Sequence, residues 1–223
     1  MSRGKLCSWT IIIAILLLAS QSKTIVAAEY DIIADGKLTS HGAIVGRSTR
    51  AGDGKDDKAF LLNGLYKFVY AGAGFRTTDA RIHARLSINK LGNTGAGVLV
   101  NGHWFTFDID PGNQIGVAGP AFGKNVKPFA KAEGRIKPGV PFDIDIVIKD
   151  GFMTYSINGE AIGEANRFPT AMETVPSNDV GSVHKLGVIT ALRSWRADLK
   201  IYEFRVETDG EIVPLPEMQT IYQ

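Results

Sequence analysis

The chain has 223 residues, with 25 Lys and Arg against 23 Asp and Glu, and one cysteine. The near balance of charge excludes a polybasic partner for nucleic acid or an anionic membrane, and a single cysteine excludes a disulfide scaffold. A 44% apolar composition in a chain of this length is enough to build a hydrophobic core.

Arg3 and Lys5 precede residues 9–19 (WTIIIAILLLA), an apolar run of signal-peptide length and short for a bilayer span. Val26, Ala27 and Ala28 offer the small residues that a signal peptidase reads. The pattern predicts a signal peptide over residues 1–28, with an uncleaved N-terminal anchor as the alternative. Cys7 lies before the apolar run, which argues against a lipoprotein. The leader holds Arg3, Lys5 and Lys23 and no acid, so residues 29–223 keep 22 basic and 23 acidic side chains, net −1, and no cysteine. The expectation is a secreted or periplasmic β-rich domain with no nucleic-acid partner and, after cleavage, no membrane partner.

From residue 29 the pattern is strands and turns. Residues 29–70 read as N-terminal strands and a charged loop leading into the main domain. Within them Asp35-Gly36 and His41-Gly42 mark turns, residues 47–58 (RSTRAGDGKDDK) read as a solvated loop, and residues 60–68 read as a short helix weakened by Gly64. Residues 80–88 (ARIHARLSI) alternate with period two: Ile82, Ala84, Leu86 and Ile88 face one way, and Arg81, His83, Arg85 and Ser87 the other. Residues 92–97 are a loop, 98–100 are apolar, and Asn101-Gly102 signals a hairpin. Residues 103–110 (HWFTFDID) alternate again, with Phe105, Phe107 and Ile109 opposite Trp104, Thr106, Asp108 and Asp110. Residues 115–117 form a short strand, and 119–137 a glycine- and lysine-rich connection.

Residues 141–161 (PFDIDIVIKDGFMTYSINGEA) carry the clearest alternation, with tight turns at Asp150-Gly151 and Asn158-Gly159; they predict an antiparallel meander at the centre of the domain. Asp143 and Asp145 read as its wet face. Residues 163–181 are a long connection, and 186–192 and 197–206 the last strands. In the last strand Leu199 and Ile201 share one parity while Tyr202, Phe204 and Val206 share the other, which predicts a β-bulge. Many short strands with turn signals at roughly ten-residue spacing predict an all-β, antiparallel two-sheet sandwich.

Several residue groups carry candidate chemistry. Asp108 and Asp110 sit at i and i+2 on one strand face, roughly 6–7 Å apart. A retaining glycosidase needs two such carboxylates, one as nucleophile and one as acid/base; the alternative is a pair of solvated aspartates. Position 113, where a third acid would extend the pattern, is Asn, and Asp108, Asp110 and Asn113 together supply oxygens for a candidate calcium site. Trp104 shares their face and is a candidate sugar-stacking platform, since an aromatic ring packs on the C–H face of a pyranose; the alternative is burial under a loop. Arg193, Trp195 and Arg196 form a turn before the last strand. They read either as a ligand or partner contact through an arginine fork, or as an Arg–Trp stack that closes the sandwich. His83 and His103 lack a second ligand at zinc spacing. No cofactor is expected.

The segment ARIHARLSINKLGNTGAGVLVNGHWFTFDID, followed by GVAGPAFG, IKPGVPFDIDIVIKDGFMTYSINGE and LGVITALRSWRADLKIYEFRVE, resembles the N-terminal module of secreted bacterial sialidases. In those proteins a concanavalin A-like (laminin G-like) sandwich precedes a six-bladed catalytic propeller. The resemblance covers residues 71–210 and implies a jelly roll of the concanavalin A-like lectin and glucanase type that binds a glycan or glycoconjugate. The propeller's Arg-Ile-Pro motif, Ser-x-Asp-x-Gly-x-Thr-Trp boxes, arginine triad and Tyr/Glu nucleophile pair are absent from this sequence. Residues 211–223 then read as a tail or the start of a missing catalytic domain encoded downstream. The leading expectation is a non-catalytic carbohydrate-binding or accessory module; the alternatives are a sandwich glycoside hydrolase using Asp108 and Asp110, and a structural spacer of a truncated sialidase.

Overall fold

The computed structural model describes residues 27–46, 50–53, 58–64, 69–75, 79–92, 94–100, 103–109, 114–119, 123–131, 135–149, 152–162, 166–167, 189–210 and 212–213. In chain order the strands are β1 (Ala28–Ala34), β2 (Lys37–Leu38), β3 (Ala43–Gly46), β4 (Arg50–Asp53), β5 (Phe60–Asn63), β6 (Val69–Phe75), β7 (Ala80–Ile88), β8 (Gly97–Val100) and β9 (His103–Ile109). They continue with β10 (Gln114–Gly119), β11 (Gly123–Lys131), β12 (Phe142–Lys149), β13 (Phe152–Ile157), β14 (Glu160–Ala161), β15 (Asn166–Arg167), β16 (Ile189–Ser194), β17 (Asp198–Thr208) and β18 (Ile212–Val213). The described residues contain no helix. Residues 1–26 of the predicted leader lie outside them, as do most of the long connection over 163–181 and most of the predicted tail over 211–223; Ala28, the last residue of the predicted leader, opens β1.

Two antiparallel sheets result. The first runs β14-β13-β12-β7-β17-β1-β2, with β5 added on β17 and β4 on β5; the second runs β11-β10-β9-β8-β16-β6-β18, with β3 on β6. The inward faces are the apolar parities read from the sequence. Ile82, Ala84, Leu86 and Ile88 of β7 and Phe142, Ile144, Ile146 and Ile148 of β12 meet Val98, Val100, Phe105, Phe107, Ile115, Val117 and Leu192 of the second sheet in one buried cluster. Ring contacts fix the facing layers. Phe107 meets Phe142 edge-on, with centroids 5.5 Å apart and planes at 88°. Phe105 lies 5.5 Å from Tyr155.

Local chemistry sets the turns. Asp35 and Gly36 both have positive φ between β1 and β2, and so do Asn158 and Gly159 between β13 and β14. That is the conformation for which a two-residue hairpin selects Asn or Asp followed by Gly. The expected bulge is present: the pairing of β17 with β7 shifts between Ile201 and Glu203, so that Ile201 and Phe204 both face the core.

Four sequence expectations are corrected. The 60–68 helix is instead strand β5, whose Phe60 and Leu62 are buried and which pairs with β17; residues 65–68 lie outside the described set. The 47–58 loop contains β4. The 119–137 connection contains β11, the outermost strand beside β10. Lysines and Pro128 are tolerated on an edge strand, so β11 lacks the alternation that announces a half-buried one. The 141–161 meander is real, as β12-β13-β14, but it flanks its sheet; β7 and β17 hold the middle.

The outer face of the first sheet is a lattice of alternating charge. Arg85 reaches Asp143 at 2.8 Å, Arg81 and His83 reach Asp145 at 3.1 and 3.2 Å, and Arg205 reaches Glu29 at 2.6 Å and also pairs with Glu203. Asp143 and Asp145 are therefore the wet face expected of them. These pairs are partly solvated and contribute little to stability.

Inside the core, Tyr155 is 2% exposed, and its hydroxyl has no hydrogen-bond partner among the described residues. Burial raises its pKa above the ordinary 10.0. A group raised on folding contributes stability below its unfolded pKa and loses it as pH rises above that value. Tyr155→Phe is therefore expected to keep or raise stability, by up to about 1 kcal/mol. It should also flatten the loss of stability above pH about 10, where the wild type has to ionise a phenol on unfolding. Urea melts at pH 8 and pH 10.5 check both arms; a variant that loses stability at pH 8 contradicts the assignment.

Candidate functional site

The outer face of the second sheet brings the singled-out residues together. On β9, Trp104, Thr106 and Asp108 point away from the core because Phe105 and Phe107 point into it. Neighbouring β8 presents Gly97 and Leu99 on that face, paired with Thr106 and Trp104, and β16 presents Ala191 and Arg193, paired with Leu99 and Gly97. Gly97 has no side chain, so Arg193 can cross above it. Its guanidinium lies 4.0 Å from the centroid of the Trp104 ring.

The side chains on this face are largely buried rather than forming a wet surface. Arg193 is 2% exposed, Leu99 2%, Asp108 3% and Thr106 1%. Trp104 is partly exposed, while its indole Nε1 is buried without a hydrogen-bond partner among the described residues. The sequence placed Arg193 beside Trp195 in a turn. The structure instead puts Arg193 on β16 and stacks it on Trp104, two strands away.

Trp195 and Arg196 form the corner where the chain leaves β16 in one sheet and enters β17 in the other. Arg196 is exposed, has a positive φ of 59°, and sits with its guanidinium 4.1 Å from the Trp195 centroid. The corner is held by Arg196 N–H donating to Gly64 O at 2.8 Å, Gly64 N–H donating to Ala197 O at 3.3 Å, and Ser194 Oγ donating to Ala197 O at 2.6 Å. A non-glycine residue in the left-handed region costs energy that these bonds offset.

Asp108 is neither a free nucleophile nor a solvated strand-end acid. Its Oδ1 accepts from Thr94 Oγ1 at 2.7 Å, and its Oδ2 accepts from the backbone N–H of Gly92. Both oxygens thus tie the loop before β8 to β9. Asp110 and Asn113 lie outside the described residues. Of the candidate calcium set only Asp108 is described, and each of its oxygens accepts a hydrogen bond from the loop before β8. Among the described residues no group of three His, Cys, Asp or Glu side chains is spaced to hold a metal. His103 is buried on the core side of β9, and His83 belongs to the charge lattice.

Sequence reading missed Gly92, Thr94, Gly95, Gly97 and Leu99. Its only available signal was the GNTGAG run before a strand, where closely spaced glycines mark backbone approaching another group.

No family model matches the chain, and no curated protein matches it in sequence. Solved structures do match. The GH43 protein BlXynB from Bacillus licheniformis superposes with a TM-score of 0.55 at 10% identity, over 80% of this chain and 39% of that one. Domain 4 of AbnA, a GH43 extracellular arabinanase from Geobacillus stearothermophilus solved with arabinotriose, gives 0.50 at 14% identity, over 89% of this chain and all of that one. A structure from work on endo-acting O-glycanases, which members of the human gut microbiota express to initiate mucin breakdown, gives 0.51 at 10% identity, over 82% and 99%. The chain spans well under half of BlXynB. At these identities the likeness is one of fold: the chain is an all-β, antiparallel two-sheet sandwich.

Proposed function

We propose that this chain is an exported, non-catalytic carbohydrate-binding module, of the kind that accompanies a sialidase propeller, with Trp104 as its sugar platform. The observation that carries the reading is the state of Trp104. Its ring is partly exposed, a buried arginine holds it by stacking, and its N–H is kept buried without an acceptor among the described residues. An unpaired buried donor costs about 1–3 kcal/mol, which a phenylalanine in the same place would avoid. Packing alone therefore does not account for an indole there, whereas a broad rigid platform for a pyranose face does. Arg193 orients the ring, and the Trp195–Arg196 corner extends the surface with an exposed guanidinium. The fold likeness to a domain solved with arabinotriose supports this reading. The engaged carboxylate of Asp108 favours it over a paired-aspartate hydrolase.

The purified chain should bind on an array that includes sialylated glycans and arabino-oligosaccharides, and Trp104→Ala should weaken the best signal by about tenfold or more. Silence across the array leaves the spacer reading standing. Glycoside hydrolysis that is lost in Asp108→Asn would sink the non-catalytic one.

A further inference from the structure

One loop joins Asp108 to the Trp195–Arg196 corner. Asp108 accepts from Gly92 N–H and Thr94 Oγ1. Thr94 Oγ1 also accepts from Ala96 N–H at 3.3 Å, and Ala96 O accepts from Phe107 N–H at 2.8 Å. The loop is thus clamped to β9 on both sides of Gly95. Gly95 has φ +60°, and its α-carbon is pressed against the benzo ring of Trp195: an added Cβ would lie 2.4 Å from Trp195 Cε3. Trp195 in turn carries the Arg196 guanidinium.

We infer that Asp108 is a positioning residue for the ligand surface: through the loop it pins, it sets the placement of Trp195 and so of the Arg196 guanidinium. The role of Arg196 in binding rests on the glycan reading above; the coupling from Asp108 to Trp195 does not. The charge of Asp108 matters because a carboxylate can accept from both donors, whereas an amide offers one oxygen and turns its NH2 toward the other donor. A short chain of polar bonds ending on a glycine transmits this, since Gly95 has no side chain with which to absorb a displacement.

Incorporating 5-fluorotryptophan and recording 19F spectra of the full chain tests the coupling, with Trp→Phe variants assigning each resonance. Asp108→Asn and Thr94→Val should both move the Trp195 resonance, in the same direction as Gly95→Ala, which displaces Trp195 directly. Thr94→Ser keeps the hydroxyl and should restore the wild-type position. Each of the three disruptive variants should weaken glycan capture by about tenfold. A Trp195 resonance that stays at its wild-type position in folded Asp108→Asn and Thr94→Val, while Gly95→Ala moves it, overturns the inference and leaves Asp108 as a stabilising residue only. If the resonance moves as expected but the wild type captures no glycan, the coupling stands and the binding reading fails. A Thr94→Ser resonance that groups with Thr94→Val also overturns it, because the hydroxyl would then not be the link.

Discussion

Phe107→Ala is expected to lower the unfolding free energy by about 3–5 kcal/mol, the range for removing a fully buried ring from a core that collapses only partly. Phe107 is 0% exposed on β9, and its edge-on partner Phe142, 1% exposed, belongs to β12 of the opposite sheet. The pair therefore bridges the two layers, and truncating one ring leaves the other facing a void between sheets that strand hydrogen bonds hold in place. Phe142→Ala should cost a similar amount. In the double variant the second loss should be smaller, with a coupling of about 0.5–1.5 kcal/mol for the aromatic contact beyond buried area. Guanidinium melts of the four proteins measure this cycle. A single-variant loss under about 1.5 kcal/mol would mean that the two rings do not form the inter-sheet contact described.

That contact was half legible in the sequence. Alternation put Phe107 and Phe142 on the apolar parity of their strands, because a period of two follows from backbone geometry alone. It could not say that the two strands lie in different sheets facing each other. The same division runs through the molecule. Asn158-Gly159 and the Ile201–Tyr202 parity switch were readable because a turn and a bulge are local events with local residue requirements. The strands β4 and β11 were not readable, because each is paired along one side only among the described residues, and the sequence of an edge strand obeys solubility more than packing.

At the site, sequence placed Trp104 and Asp108 on one face correctly, since they are two and four residues along the polar parity from Thr106 and each other. It paired Arg193 with Trp195 by proximity in the chain. Their parity is what misleads: Arg193 still belongs to β16, where it faces out over Gly97, while Trp195 has already left the strand for the corner. The stack on Trp104 depends on the strand order β9-β8-β16, which is information about pairing partners that alternation does not hold. Asp108 was misread for a related reason. A carboxylate on a polar parity looks solvated until a loop from elsewhere folds over it with donors attached, and GNTGAG gave no hint of which strand it would cover.

Gly97→Ala should destabilise the protein by about 3 kcal/mol, against the usual direction for such a change. A glycine inside a strand ordinarily costs about 0.5–1 kcal/mol relative to alanine, so replacing it normally stabilises. Here the neighbouring strand leaves no room. A Cβ on Gly97 would lie 2.0 Å from the carbonyl oxygen of Phe105 and 2.8 Å from the α-carbon of Thr106. Both contacts are to the backbone of β9, so no flexible side chain can swing aside, and the accommodation has to come from spreading β8 from β9. That movement breaks the register in which Gly97 opposes Thr106 on one side and Arg193 on the other. It also carries Trp104 away from the guanidinium that crosses above Gly97. The substitution should therefore do two things at once: lower the urea midpoint and shift the fluorotryptophan resonance of Trp104. An alanine variant with wild-type stability and an unmoved Trp104 signal would show that β8 and β9 are not packed this closely, and the explanation given for the reach of Arg193 would fall with it.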